Sequence, residues 1–395
     1  MRSVTTSDAV PQVKVLLRQT SQAVAVTANM AFVVKGDDNQ DITYVSEGQK
    51  IELKCAQDKI EIYDAQGKSL GKTITATCSA KSDEIRFLTG GNSYRGRLVA
   101  TANNGEMMLL NVLDMESYLM GVVRNEIGKL PMEQIEAAKA QAVAARTYAV
   151  KNRNKYKTYD YVSDVGDQVY QGASSETDVS NQAVVETAGQ ILQYNDQPIS
   201  AFFFSTCGGV TANAIDVWKN SSSTPYLQSI RTSYNGKNFC MESPLYRWEV
   251  KWTGDEIENL IKANLPAILK DQLPSEDFSK LQTQQLYNLA VIQRDSSQRI
   301  QTITIGFSKD QYTVTGEQIR RILKGEKSIL YSSLFRIDIQ RNADGTIMTV
   351  SAKGAGNGHG VGMCQWCART MAKDGYGYQQ ILGYFYRGTA LKKMY

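Results

Sequence analysis

Histidine is nearly missing from this chain: His359 is the one copy in 395 residues. That scarcity excludes a metal centre built on several imidazoles. A Ser-His-Asp triad would have to use this one residue, and no nucleophile-elbow sequence accompanies it. Long apolar runs are also missing, so no stretch reaches the roughly 20 residues that span a bilayer. The opening "MRSVTTSDAVPQVKV" has no apolar h-region, and a secretory signal is therefore read as absent or already removed. Blocks of Lys and Arg are absent too, and 44 basic against 40 acidic residues leave a net charge of +4. No nucleic-acid partner is expected from that balance. Internal repeats and low-complexity segments are not found.

What is present is ordinary for a globular protein: 42% hydrophobic and 21% charged residues. The length suggests two or three domains. Tyrosine outnumbers phenylalanine, 21 to 10, a tilt toward amphipathic aromatics that suits carbohydrate or wet interfaces as well as cores. The six cysteines form an even count, consistent with an oxidising compartment. Cys55 and Cys78 could pair locally within one strand-rich region, and Cys207 could pair with Cys240.

Residues 11–113 read as strands, because "VKVLL", "ITYVS", "KIELKC" and "KIEIYD" alternate apolar and polar positions. An Asn-Gly turn divides "LVATANNGEMMLLNVL" into two runs. The period changes at Asp114, a candidate N-cap, after which "MESYLMGVVRNEIG" follows helical spacing. Pro131 is expected to open a second, alanine-rich helix, "PMEQIEAAKAQAVAARTYAVKNRN". Residues 158–240 read as mixed, with one strong strand in "PISAFFFST". Residues 254–295 read as helical, 298–350 as strands interrupted by "GEQIRRILKG", and the tail after Gly362 as one helix and a closing turn. Strands first and helices later predict an α+β fold. The expected divisions are a strand-rich region 1–113, a core in two parts, 114–240 and 353–395, and an inserted helix and strand subdomain, 241–352.

Glu126 falls three and four positions after Val123 and Val122, so the helix that buries the valines turns this carboxylate toward the core edge. A carboxyl group so placed can act as a general acid near neutral pH, although a solvated glutamate at a helix end is the plainer reading. Arg146, beside Gln141, Ala145 and Tyr148 on the alanine-rich helix, either pairs with a carboxylate or orients a ligand. "DQVYQG" and "STCGGVT" are polar, glycine-bearing turns of the kind that line sites. His359, Cys364 and Cys367 have a spacing that zinc tolerates, with Cys207 or Cys240 to complete four ligands. With one nitrogen ligand in the chain, the expectation is no metal. The cysteines would then be buried thiols or disulfides, and Gly358 and Gly360 would flank the ring for packing.

In order along the chain, "YLMGVVRNEIG", "EAAKAQAVAARTYAV", "DQVYQG", "FFFSTCGGVTANAIDVW", "TPYLQSI" and "GHGVGMCQWCARTMAKDGYGYQQILGYFYRGTAL" resemble the SpoIID/LytB family of peptidoglycan lytic transglycosylases and amidase enhancers. The resemblance implies that Glu126 is the catalytic acid. It also implies that Gln141, Arg146, Gln168, Tyr170, Ser205, His359 and Gln365 surround a glycan cleft, with His359 lying between glycines that let the chain pass close to sugar. It implies peptidoglycan glycan strands as substrate, a cell-wall amidase as a partner, an extracytoplasmic location in the periplasm or envelope, and no cofactor. The sequence departs from the family at three places. The family's Cys-x₄-His-Cys zinc stretch is replaced by "VSDVGDQVY", Phe204 stands where many relatives have histidine, and Cys367 replaces a glycine. The last two leave open a cluster of Cys207, Cys240, Cys364 and Cys367. If water rather than a sugar hydroxyl were the nucleophile, Asp164, Asp167 or Asp216 would be the candidate base.

Overall fold

In a computed structural model of the chain, the structure describes residues 9–218, 224–323 and 329–395. They form an α+β protein divided into two compact units: residues up to Ser200 together with Ala390–Tyr395, and Ala201–Thr389.

The first unit opens with two sheets. One has seven strands, with Gln12–Thr20, Glu106–Asp114 and Arg97–Asn103 running side by side. The other has six. Alternation is what buries one face of each: Lys59–Asp64 hides Ile60 and Ile62 and exposes Lys59. The Asn-Gly turn is a two-residue hairpin, with Asn103 paired to Glu106 and positive φ at both Asn104 (50°) and Gly105 (78°). Those angles are what glycine and asparagine tolerate best.

Helix α1 (Met115–Ile127) starts where expected, the Asp114 carboxylate accepting from Ser117 N–H at 2.9 Å. Pro131 instead begins a short 3₁₀ turn, Met132–Gln134, and α2 runs from Ile135 to Asn152. Ala137, Ala138, Ala140, Ala142, Ala144, Ala145 and Ala149 are all buried, so α2 lets other backbones approach on most sides. Helix α3 (Asp178–Glu186) is held by a Thr177–Ser180 capping box. The strand Gln190–Tyr194 pairs with the closing strand Ala390–Lys393. The tail is therefore not merely a helix and a turn.

Cys55 and Cys78 do not pair. Cys55 lies on Ile51–Ala56 in the six-stranded sheet, Cys78 on Thr75–Ser79 in the seven-stranded one, and both are free thiols. Nearness in a strand-rich stretch does not determine which sheet a strand joins.

In the second unit, "PISAFFFST" does not form one long strand. Only Phe203–Phe204 pairs, in parallel, with Met363–Cys364. After the short α4 (Ala214–Val217), the strand Trp248–Thr253 lies against Ile347–Gly354, which in turn pairs with Phe335–Arg341. Helix α5 (Gly254–Leu269) buries Ile257, Ile261, Leu265 and Leu269. The expected continuation of helix to residue 295 fails, because Leu286–Arg294 is a strand paired with Ile300–Phe307. Its apolar residues satisfy a helical period in isolation, but the cross-strand partners Ile303 and Ile305 decide the conformation. The residues of α5 and these strands share one apolar core with Trp248, Trp252 and Val350. Helix α6 (Gln318–Ile322) realises the "GEQIRRILKG" expectation, part of which lies outside the described residues. The unit closes with two helices, α7 (Gln365–Lys373) and α8 (Tyr378–Phe385), rather than one.

Candidate active site

Glu126 sits on the last turn of α1, three and four positions after the fully buried Val123 and Val122. Burial pushes its carboxyl above the ordinary glutamate value, and a hydrogen bond from Val169 N–H to Oε1 at 2.8 Å offsets part of that rise. Oε2 has no hydrogen-bond partner among the described residues. One oxygen is thus held by the backbone and the other is available for proton transfer.

The segment that supplies Val169 is itself built to be rigid. Tyr170 N–H donates to Ser163 O at 3.1 Å, and Gly166 N–H donates to the Asp164 carboxylate at 2.8 Å. Asp167 accepts from Lys155 Nζ at 2.7 Å and from Val162 N–H at 2.9 Å. Both Asp167 oxygens are therefore engaged, which makes it a loop anchor. This is also where the zinc stretch of the proteins the chain resembles would fall; residues 162–170 contain no Cys or His, so they do not fit that metal.

On either side of Val169, the structure uses Gln168 and Tyr170 as scaffold. Both are buried. Gln168 accepts from Tyr118 Oη at 3.2 Å and donates to Ala145 O at 3.4 Å, fastening the segment to α1 and α2. Tyr170 donates to Asn111 Oδ1 at 2.5 Å and packs its ring 5.2 Å from Tyr118. Asn111, fully buried within the strand Glu106–Asp114, was not singled out from sequence, although a lone Asn in "MMLLNVL" is the signal that could have found it.

Two of the expected substrate contacts on α2 are also fully buried: Gln141 and Arg146. Arg146 pairs with a carboxylate, the first of its two sequence readings. It grips Glu116 through Nε (2.8 Å) and Nη2 (2.6 Å), and its remaining N–H groups meet Thr187 Oγ1, Gln190 O and Val184 O. No donor is left for a sugar, so Arg146 acts as a clamp within the fold.

The other three expected residues, Ser205, His359 and Gln365, belong to the second unit and come together around the Phe203–Phe204 and Met363–Cys364 pairing. Ser205 O accepts from Trp366 N–H at 3.1 Å, beside the buried Gln365. Asp216, also in this unit, accepts from Asn213 Nδ2 at 2.7 Å. His359 Nδ1 accepts from Val361 N–H at 3.1 Å, which places the proton on Nε2, and Nε2 donates to Phe203 O at 3.0 Å. Both nitrogens are committed to backbone, and the rings of Phe202, Phe204 and Trp218 surround the imidazole. The glycines beside it serve the protein's own packing. A Cβ on Gly358 would lie 2.8 Å from Phe204 Cβ, and one on Gly360 would lie 2.6 Å from Arg299 Nε.

Burial lowers the His359 pKa from 6.5 to about 4. Folded and unfolded chains therefore differ in bound protons between those values, and stability is lost as pH falls through that window. In denaturant titrations at pH 7 and pH 5, wild type is expected to lose more stability than His359→Gln. Equal losses would mean that the ring titrates as an exposed histidine does.

The four cysteines of the second unit converge. Cys207, Cys240, Cys364 and Cys367 are all buried, with sulfurs within 4.8 Å of one another. The expected Cys207–Cys240 disulfide is not formed; their sulfurs lie 3.3 Å apart and both are free. His359 is not among this group.

The family model described as "Stage II sporulation protein" (SpoIID) matches residues 103–194, the stretch that carries α1, α2 and Glu126, and a "Domain of unknown function (DUF8618)" matches residues 232–362. The chain is 30% identical over 301 residues to "Stage II sporulation protein D" of Bacillus subtilis (strain 168), covering 71% of this chain and 75% of that one. It is 31% identical over 307 residues to an uncharacterized protein of Brachyspira hyodysenteriae, covering 76% and 73%. A third relative, "Amidase enhancer" of Bacillus subtilis (strain 168), is 27% identical over 378 residues, covering 89% of this chain and 51% of its own length.

Proposed function

The chain belongs to the SpoIID/LytB family and has a cell-wall related role, and from that premise we propose that it is a lytic transglycosylase acting on peptidoglycan glycan strands outside the cytoplasm. The observation that carries this reading is Glu126: a carboxyl raised by burial, one oxygen fixed by Val169 N–H and the other unpartnered among the described residues. Ordinary glycosidases need two carboxylates flanking the bond. Of the three alternatives to a lone glutamate, Asp167 has both oxygens occupied, Asp164 caps its own loop and Asp216 is held by Asn213.

A single acid suffices when the substrate supplies the nucleophile. Protonated Glu126 gives its proton to the glycosidic oxygen as the bond from the N-acetylmuramic acid anomeric carbon breaks. The C6 hydroxyl of the same sugar then attacks that carbon, and its proton returns to Glu126. No water is consumed. The product ends in a 1,6-anhydro ring and is lighter by one water than a hydrolysis product, so mass spectrometry of digested glycan strands reads the mechanism directly. Anhydro ends are expected; reducing muramic acid as the main product would mean hydrolysis and would end this assignment. Strands stripped of stem peptides are the expected preferred substrate.

The amidase enhancer relative, which aligns along 89% of this chain, favours a second reading in which the protein binds peptidoglycan and stimulates an amidase without cutting glycan. Under that reading, purified protein leaves stripped and intact strands uncut, accelerates an added cell-wall amidase, and is indifferent to Glu126→Gln.

A further inference from the structure

The geometry points to a structural zinc site formed by Cys207, Cys240, Cys364 and Cys367, separate from the chemistry assigned to Glu126. Four sulfurs from three distant segments are buried together within 4.8 Å of one another, Cys207 lying 3.3 Å from Cys240 and 3.6 Å from Cys367. A tetrahedral zinc with Zn–S bonds of about 2.3 Å requires sulfurs about 3.8 Å apart, so small adjustments bring all four to ligand distance. A disulfide would use only two of them and would need its pair drawn in to about 2.05 Å. An all-thiolate set selects soft or borderline metals, and among the usual biological ones, copper(I), iron–sulfur and zinc, zinc is the one without redox chemistry.

Two further features point to a metal. The backbone donates to the sulfurs: Cys207 N–H and Cys367 N–H to Cys364 Sγ at 3.3 and 3.4 Å, and Gly209 N–H to Cys207 Sγ at 3.4 Å. Thr232 Oγ1 lies 3.0 Å from Cys207 Sγ. Such bonds orient the sulfurs, and Cys364 sits at the N-cap of α7. The second feature is Arg299, fully buried with no carboxylate ion pair among the described residues, whose Nη2 donates to Cys207 O at 3.2 Å. Zinc with four thiolates carries a charge of −2, and a buried guanidinium beside it supplies the compensation that an unpaired buried cation itself requires. The ion would cross-link the Ser205–Cys207 segment to the start of α7, holding Ser205 and Gln365 in place. All four ligands lie outside the stretch matched by the SpoIID model.

The test is elemental analysis of full-length protein purified under reducing conditions. One zinc per chain is expected, released by a thiol-modifying reagent and lost in Cys364→Ser and Cys367→Ser. It should be retained in the Cys55→Ser, Cys78→Ser double variant. Because the ligand variants could fail to fold, cobalt exchange into wild type gives an independent reading: tetrahedral thiolate coordination produces intense visible and sulfur-to-cobalt charge-transfer absorption. Protein that is folded but metal-free, with six alkylatable thiols or a Cys207–Cys240 disulfide, would overturn the site. So would stoichiometric iron with sulfide in place of zinc. Glycan cleavage does not enter this assay, so its outcome is independent of the transglycosylase reading.

Discussion

Glu126→Gln is expected to lower glycan cleavage by roughly 10²–10⁴-fold, the usual contribution of general acid–base catalysis, while leaving the fold and glycan binding in place. The amide keeps an oxygen to accept from Val169 N–H, so the segment that crosses Glu126 retains its anchor. Only the transferable proton is lost. The pH dependence carries the same information. Burial holds this acid protonated to higher pH than an ordinary glutamate, and kcat/KM should fall as pH rises through that raised value. Stability follows a matching sign. A carboxyl whose folded pKa lies above its unfolded one contributes stability below the unfolded value, and that contribution is lost as pH rises through the folded value. Above that raised value the wild type carries a desolvated charge that the variant does not, and there Glu126→Gln should unfold at an equal or slightly higher denaturant concentration. Wild-type turnover in the variant would remove Glu126 from the mechanism.

Glu116→Gln is expected to cost about 3–5 kcal/mol, the usual penalty for leaving a buried charge without its partner. Arg146 is fully buried and the Glu116 side chain is 14% exposed, and the pair is bidentate, joining the first turn of α1 to α2. Glu116 also accepts from Gly189 N–H at 3.2 Å and from Tyr395 Oη, which ties the closing strand to the same carboxylate. Losing it should therefore loosen the C-terminus as well as the helix pair. Replacing both partners by apolar residues, Glu116→Leu with Arg146→Met, should cost much less than the sum of the single changes, because no charge is then stranded. Denaturant unfolding of the four proteins measures the cycle. Additive single effects, or a Glu116→Gln cost under about 1 kcal/mol, would mean that the clamp is not what holds α1 against α2. Since α1 carries Glu126 at its other end, this clamp also positions the proposed acid.

Much of this protein could be read from its order of residues. Alternation along "KIEIYD", the Asn-Gly hairpin, the Asp114 cap and the valines that orient Glu126 depend on residues two to four positions apart. Local backbone geometry is enough to decide those relations. The tertiary structure decided what depends on partners far along the chain. Arg146 finds Glu116 thirty residues away, and Cys207 finds Cys367 across 160. His359 gives its Nε2 proton to Phe203 O, 156 residues distant. Leu286–Arg294 became a strand because Ile300–Phe307 lay ready to pair with it. Periodicity says which face of an element is buried, but not what meets it there; sheet order and chain crossings set that. For the same reason the cysteines read ambiguously as disulfides, thiols or ligands until the fold brought four of them together and left Cys55 and Cys78 on separate sheets.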